Sequence, residues 1–371
     1  MEKKKEILKT IILLTLIILG YYNQDTIEKN ISKTINLQDL LKEKENYTYE
    51  IKKINYNLNE NINTDIQLEF CPSKRCLILL NESLASAKTE IKCAFYELDQ
   101  KDLIKTILKK SKEKNINISL IIDDKYLNEE NFKILYNTSI NIFSDVKRHT
   151  RYNNYMHNKF CIIDNKILLT GSMNPTQNGI FKNNNNLLKI ESEFLSKNYE
   201  NEFDQMNGGI FGENKKTTLE YNNITLNYNN DKYLISSYLC PEDNCAEEVS
   251  NILKSAKKNI YFASFAFTLD KFSNTLKNKS KEIEIKGIIE KRNLNLKGSD
   301  IKKLNETFPI YLDKNKYNMH HKFFIIDEET IITGSMNPSG SGTKYNDENI
   351  LIIKNKNLAK KYLLEFNKLI S

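Results

Sequence analysis

The chain has 371 residues and carries 55 Lys plus Arg against 48 Asp plus Glu, a net charge of +7. That length is ample for two domains with cores of their own. The mildly basic balance admits an anionic substrate without separating nucleic acid from phospholipid, and the absence of Trp among 20 Tyr and 17 Phe excludes a Trp anchor at a membrane surface.

The chain opens with Lys3, Lys4 and Lys5 ahead of the uncharged run Ile11 to Tyr22. A positive start followed by an apolar stretch reads as an export signal. No small-residue cleavage site follows, so residues 1–23 are expected to be an uncleaved signal anchor, with a cleaved signal peptide as the second reading. The positive-inside rule then places the body outside the cytoplasm, membrane-anchored or secreted. Residues 24–64 are polar and rich in Asn, Lys and Glu, and are expected to form a stalk.

A first domain is expected over residues 65–206. It begins at Cys71-Pro72 and continues with helix Leu77 to Thr89, strand Ile91 to Glu97, helix Lys101 to Lys114 and strand Ile116 to Ile122. A closing helix is expected from Phe194 to Met206, and Gly208-Gly209 opens a linker, residues 207–230. The second domain, residues 231–371, repeats the order. Helix Ala246 to Lys257, strand Ile260 to Thr268 and strand Ile283 to Ile289 precede strand Ile350 to Ile353 and helix Leu358 to Ile370. Alternating helices and strands predict an α/β fold. Cys71-Pro72 to Cys76 and Cys240-Pro241 to Cys245 share one spacing at the head of each repeat. In an oxidising compartment each pair can close a disulfide, and four thiolates on one zinc are the alternative. Cys93 and Cys161 read as small buried residues.

One block occurs twice. Met156 to Pro175 and Met319 to Pro338 agree at 13 of 20 positions. Each spells His-x-Lys-x4-Asp-x6-Gly-Ser-x-Asn: His157, Lys159, Asp164, Ser172 and Asn174 in one copy, His320, Lys322, Asp327, Ser335 and Asn337 in the other. A repeat of this kind is a duplicated fold unit. On a strand, residues two apart share a face, which puts His157 with Lys159 and His320 with Lys322. Two such units face to face gather two imidazoles, two ammonium groups, two carboxamides and two hydroxyls. Lys, Asn and Ser donors suit the non-bridging oxygens of a phosphodiester. Imidazole serves as nucleophile or as general acid and base. The lysines already supply positive charge, so no metal or cofactor is called for. Asp164 and Asp327, five residues past each Lys, are expected to fix the turn between two strands.

These residues resemble the phospholipase D superfamily over roughly residues 65–371. The resemblance implies two tandem phospholipase D-like domains, each a mixed β-sheet flanked by helices. They would pack as a pseudo-twofold dimer with the active site at the seam, so that one chain suffices. It also implies a two-step reaction through a phosphohistidine. Members often hold a His ring with a Glu placed where Glu348 stands, 28 residues after His320; the matching position after His157 is Asn185. Pairing Glu348 with His320 makes that ring the proton donor, and pairing the neutral Asn185 with His157 leaves His157 as nucleophile. The substrate is a phosphodiester, nucleic acid in the first reading and membrane phospholipid in the second. A binding protein that has lost activity is the third. Lys147, Arg148, His149 and Arg151 are candidates for a phosphate track.

Overall fold

The computed structural model describes residues 58–146 and 154–371. The N-terminal apolar segment, most of the stalk and the basic residues 147–151 lie outside the described residues. No helix among the described residues is long and apolar enough to cross a membrane.

The strands are β1 (Asn59–Asn61), β2 (Gln67–Cys71), β3 (Glu90–Phe95), β4 (Asn117–Ile122), β5 (Asn141–Ser144), β6 (Lys159–Ile163), β7 (Ile167–Gly171) and β8 (Asn185–Glu191). They are followed by β9 (Ile224–Tyr228), β10 (Asp231–Cys240), β11 (Asn259–Ser264), β12 (Glu284–Ile289), β13 (Ile310–Leu312), β14 (Lys322–Ile326), β15 (Thr330–Gly334) and β16 (Glu348–Lys354). One sheet runs β2-β8-β7-β6-β3-β4-β5, and the other β1-β9-β10-β16-β15-β14-β11-β12-β13. Both are mixed: β3 and β4 are parallel, as are β11 and β12, while the motif strands pair antiparallel. This is the expected duplicated α/β architecture.

Three apolar cores hold it together. Helices Lys74–Ser86 and Lys101–Lys110 bury Leu80, Leu84, Ile104 and Ile107 in an outer core on the first sheet. Helix Cys245–Ser255 does the same on the second sheet with Val249 and Leu253. The third core is shared by both halves and includes Phe160, Tyr199 and Phe203 with Phe323, Tyr362 and Phe366. Each such side chain contributes roughly 1.5–3 kcal/mol by leaving water. The closing helices Glu193–Asn207 and Lys356–Ile370 supply most of these large rings, and Ser192 and Asn355 cap them by accepting from Leu195 N and Leu358 N.

The boundaries need correction at two places. The end of the expected stalk is β1, and the end of the expected linker is β9. They pair parallel, Asn59 opposite Thr225, and extend the second sheet. Isolated polar segments hide such strands, because the edge of a sheet supplies their partner. The cysteines follow the first expectation and add to it. Cys71–Cys76 and Cys240–Cys245 are disulfides, which removes the zinc alternative. Cys93 and Cys161 are fully buried, as expected, and as directly opposed residues of β3 and β6 they form a third pair.

The hairpin between β6 and β7 turns at Asp164 and Asn165, both at positive φ, and the second copy turns at Asp327 and Glu328. The Asp164 carboxylate accepts from the N–H groups of Lys88, Thr89 and Glu90. Asp327 accepts from those of Lys257, Lys258 and Asn259. Each aspartate ties its hairpin to the start of the neighbouring strand. Asp164→Ala or Asp327→Ala is therefore expected to lower stability by about 1–3 kcal/mol in urea unfolding, through unpaired amides, while leaving the site chemistry intact.

Candidate active site at the seam

The halves meet through backbone hydrogen bonds exchanged at two isolated bridges. Asp347 N donates to Tyr155 O at 3.0 Å beside the bridge Met156–Asp347, and His320 N donates to Asn184 O at 2.8 Å beside the bridge Asn184–Met319. Each motif histidine thus stands just before its strand, next to the other half. Behind these segments, Asp123 Oδ2 accepts from Met156 N and Glu290 Oε2 from Met319 N, so a carboxylate anchors each approach.

This seam reverses the expected pairing. Glu348 lies against His157, with Nδ1 at 2.8 Å from both carboxylate oxygens. Asn185 lies against His320, with Oδ1 at 2.8 Å from its Nδ1. Counting 28 residues along the chain finds the right residues and assigns each to the wrong ring, because β8 and β16 present their first residues across the seam. Ser335 Oγ donates to Glu348 at 2.6 Å and Asn346 Nδ2 at 3.2 Å. With His157 these make three donors on one carboxylate, which favours its ionised form. The Nδ1–H of His157 therefore points at Glu348 and its Nε2 lone pair is free. The Nδ1–H of His320 donates to Asn185 Oδ1 and to the carbonyl of Ser172.

The two serines also differ from expectation. Ser172 and Ser335 are fully buried, and their hydroxyls donate to Asn185 and Glu348. They orient the residues that orient the histidines and do not face a phosphate. Gly171 and Gly334 make this possible. A Cβ there would stand 2.3 Å from Asn186 O and 2.1 Å from Asn349 O, so only Gly lets the strand come so close. Asn174 and Asn337 stay uncommitted: the Oδ1 of each is buried without a hydrogen-bond partner.

Lys159 Nζ donates to His157 O at 2.7 Å, and Lys322 Nζ lies 3.0 Å from both the carbonyl and the Nε2 of His320. Burial lowers Lys159 to about 7 and pushes Lys322 well down too, with Lys159 adding to the effect. Burial, then the charges of both lysines, hold both imidazoles well below their ordinary range. Burial raises Glu348 to about 7, opposed by Lys159 and by its donors. An incoming anion supplies the charge this pocket lacks.

Sequence reasoning missed an aromatic under each pair. Tyr96 meets His157 edge-on at 4.8 Å with Lys159 over its ring, and Phe265 meets His320 at 4.8 Å with Lys322 over its ring. Each directly follows a strand whose apolar run is legible, but only the sheet order brings it to the histidine. Tyr96 also packs on Tyr126 and Tyr155. In the second half those two positions are Asn293 and Asn318.

The family model described as "Cardiolipin synthase, PLD-like domain" matches residues 80–207 and 249–370, one match per half. The phospholipase D of Rickettsia conorii is 28% identical over 131 residues, 35% of this chain; the match spans 66% of that protein's length. The mitochondrial cardiolipin hydrolase of Xenopus tropicalis is 27% identical over 142 residues, 37% of this chain and 68% of its own. The phosphatidylserine synthase of Haemophilus influenzae Rd KW20 has a similar fold, with a TM-score of 0.62 at 13% identity, over 81% of this chain and 84% of its own.

The electrostatics of the pocket predict the state of its histidines. At a pH of about 6, where an ordinary imidazole is largely charged, His157 and His320 are expected to be neutral by NMR. Lys322→Met removes a positive neighbour and should raise both titrations; midpoints that stay put would show that the lysine charge is not what depresses them.

Proposed function

The chain belongs to the phospholipase D-like family, and from that premise we propose that it is a metal-independent phosphodiesterase acting through a phosphohistidine on His157. The observation that carries this reading is the buried His157–Glu348 pair facing His320 across the seam. The lone pair of His157 Nε2 attacks phosphorus, and the P–O bond to the leaving alcohol breaks as the P–N bond forms. Attack makes the imidazole cationic, and Glu348, already on its Nδ1–H, offsets that charge. This gives His157 the nucleophile's role on a different ground from the amide partner expected in the sequence. His320 protonates the leaving oxygen. Binding of the anionic diester restores its affinity for that proton, and the Lys322 ammonium at its Nε2 is a ready source. Neutral His320 then takes a proton from water, whose oxygen attacks phosphorus and frees His157. Lys159, Lys322, Asn174 and Asn337 are the groups available to the non-bridging oxygens.

Nucleic acid is the preferred substrate, and the partly exposed cluster Tyr96, Tyr126 and Tyr155 supports it, since aromatic faces stack on bases. Membrane phospholipid is the second reading, supported by relatives named phospholipase D and mitochondrial cardiolipin hydrolase. Three cysteine pairs support an exported protein, either anchored by residues 1–23 or secreted.

Single-stranded DNA and phosphatidylglycerol vesicles, offered in parallel with EDTA present, separate the two substrates. Cleaved DNA that is spared by His157→Ala supports the nuclease; released headgroup with intact DNA replaces it with the phospholipase. With a good leaving group, His320→Ala should accumulate the phosphoenzyme and His157→Ala should form none. Phosphate mapped to His320 would overturn this assignment of nucleophile and acid.

The dependence on pH follows from two groups. Glu348 must be ionised, so kcat/KM rises with pH through about 7. Lys159 must be charged, so kcat/KM falls again as that group, also near 7, loses its proton. A bell centred near neutrality is expected. Glu348→Gln should erase the acid limb and lower kcat by a factor on the order of 10⁴, as loss of a carboxylate that orients a catalytic imidazole does.

A further inference from the structure

One buried charge is not used by the chemistry above. Lys215 lies in the segment expected to be a linker, and its side chain is fully enclosed. Its ammonium bonds to Glu202 and stands 3.0 Å from Glu242, 3.2 Å from Asp347 and 3.3 Å from the carbonyl of Cys240. Two of these partners lead to the nucleophile. Glu202 accepts from the Nδ2 of Asn158, the residue after His157. Asp347 is the residue before Glu348, and its Oδ1 also accepts from Gly212 N. Met156 and Asp347 form the seam bridge itself. The segments carrying His157 and Glu348 are therefore held from behind by one cation.

The pseudo-symmetric location is built differently. Glu365 takes the place of Glu202 and lies 3.6 Å from the Nε2 of His321, with the exposed Lys368 at 3.4 Å. Asn184 replaces Asp347 and binds Asn315. No linker lysine reaches it among the described residues. The lysine clamp is thus confined to the side of His157.

We propose that Lys215 is a positioning residue that sets the His157–Glu348 pair across the seam, so that the linker is part of the active-site scaffold. This rests on the reading of His157 as nucleophile, but one of its readouts does not need turnover. A His Nδ1–H shared with a buried carboxylate gives a far-downfield proton resonance. In the full chain, that resonance should be present in the parent and lost or moved upfield in Lys215→Met. With bis(4-nitrophenyl) phosphate, the burst of 4-nitrophenol that reports formation of the phosphoenzyme should slow by about tenfold or more with KM little changed, since a small misplacement of the attacking atom acts on the rate. Lys215→Arg should restore part of the burst. Should Lys215→Met fail to fold, Asp347→Asn cuts only the arm to the strand of Glu348 and copies the residue that the other half already uses. It should slow the burst by about threefold or more. A folded Lys215→Met or Asp347→Asn with lowered thermal stability but the parent's burst and downfield proton would overturn the proposal. A parent chain that shows the resonance yet turns over no phosphodiester would instead count against the proposed function alone.

Discussion

The candidate site depends on the hydrogen bond from His157 to Glu348, because its two ends come from different halves. Neither half owns a complete site. His157 needs a carboxylate from β16, and His320 needs an amide from β8. Both contacts are buried, where removing one partner of a charged hydrogen bond is costly, typically about 3–5 kcal/mol. The shared core around Phe160, Phe323, Tyr199 and Tyr362 holds the halves at the separation these contacts require. Packing and the candidate site therefore cannot be separated: what keeps the seam closed also brings His157 and Glu348 together.

On this nearly symmetric frame the chemistry is unsymmetric. The position of Glu348 is matched in the other half by Asn185, that of Asp347 by Asn184, and those of Tyr126 and Tyr155 by Asn293 and Asn318. The carboxylate side sets Glu348 on the Nδ1 of His157, where it would offset positive charge on that ring. The amide side holds its ring through neutral acceptors and leaves Nε2 to exchange a proton with Lys322 or water. Different residues at matched positions thus give the two imidazoles of a duplicated pocket different partners, a carboxylate for His157 and an amide for His320.

Much of this is legible in the sequence, and the residues show why. The apolar runs of β3, β6, β11 and β14 bury both faces, so their composition alone declares them. The amphipathic helices 101–110 and 356–370 show their period in the same way. The seven strands β1, β2, β5, β8, β9, β10 and β13 are not evident from the chain alone. Several are short or lie near a sheet edge, and β8 begins inside an Asn-rich stretch. What makes them strands is a partner far away in the chain, and no local pattern records it. Asp164 and Asp327 fall in a turn, as their distance from the lysines implies. Ser172 and Ser335 escape such reasoning, since a hydroxyl beside a catalytic motif reads the same whether it faces a ligand or the interior.

The sequence by itself determined the family of folds, the duplication and the inventory of reactive groups, because those reside in residue types at fixed spacings along a strand. The tertiary structure alone decided the pairing: Glu348 with His157, Asn185 with His320, Cys93 with Cys161 and Lys215 with three carboxylates. Spacing along a chain constrains only neighbours within one element. Pairing across the seam is set by where β8 and β16 begin relative to the opposite half, and that is a property of two packed sheets.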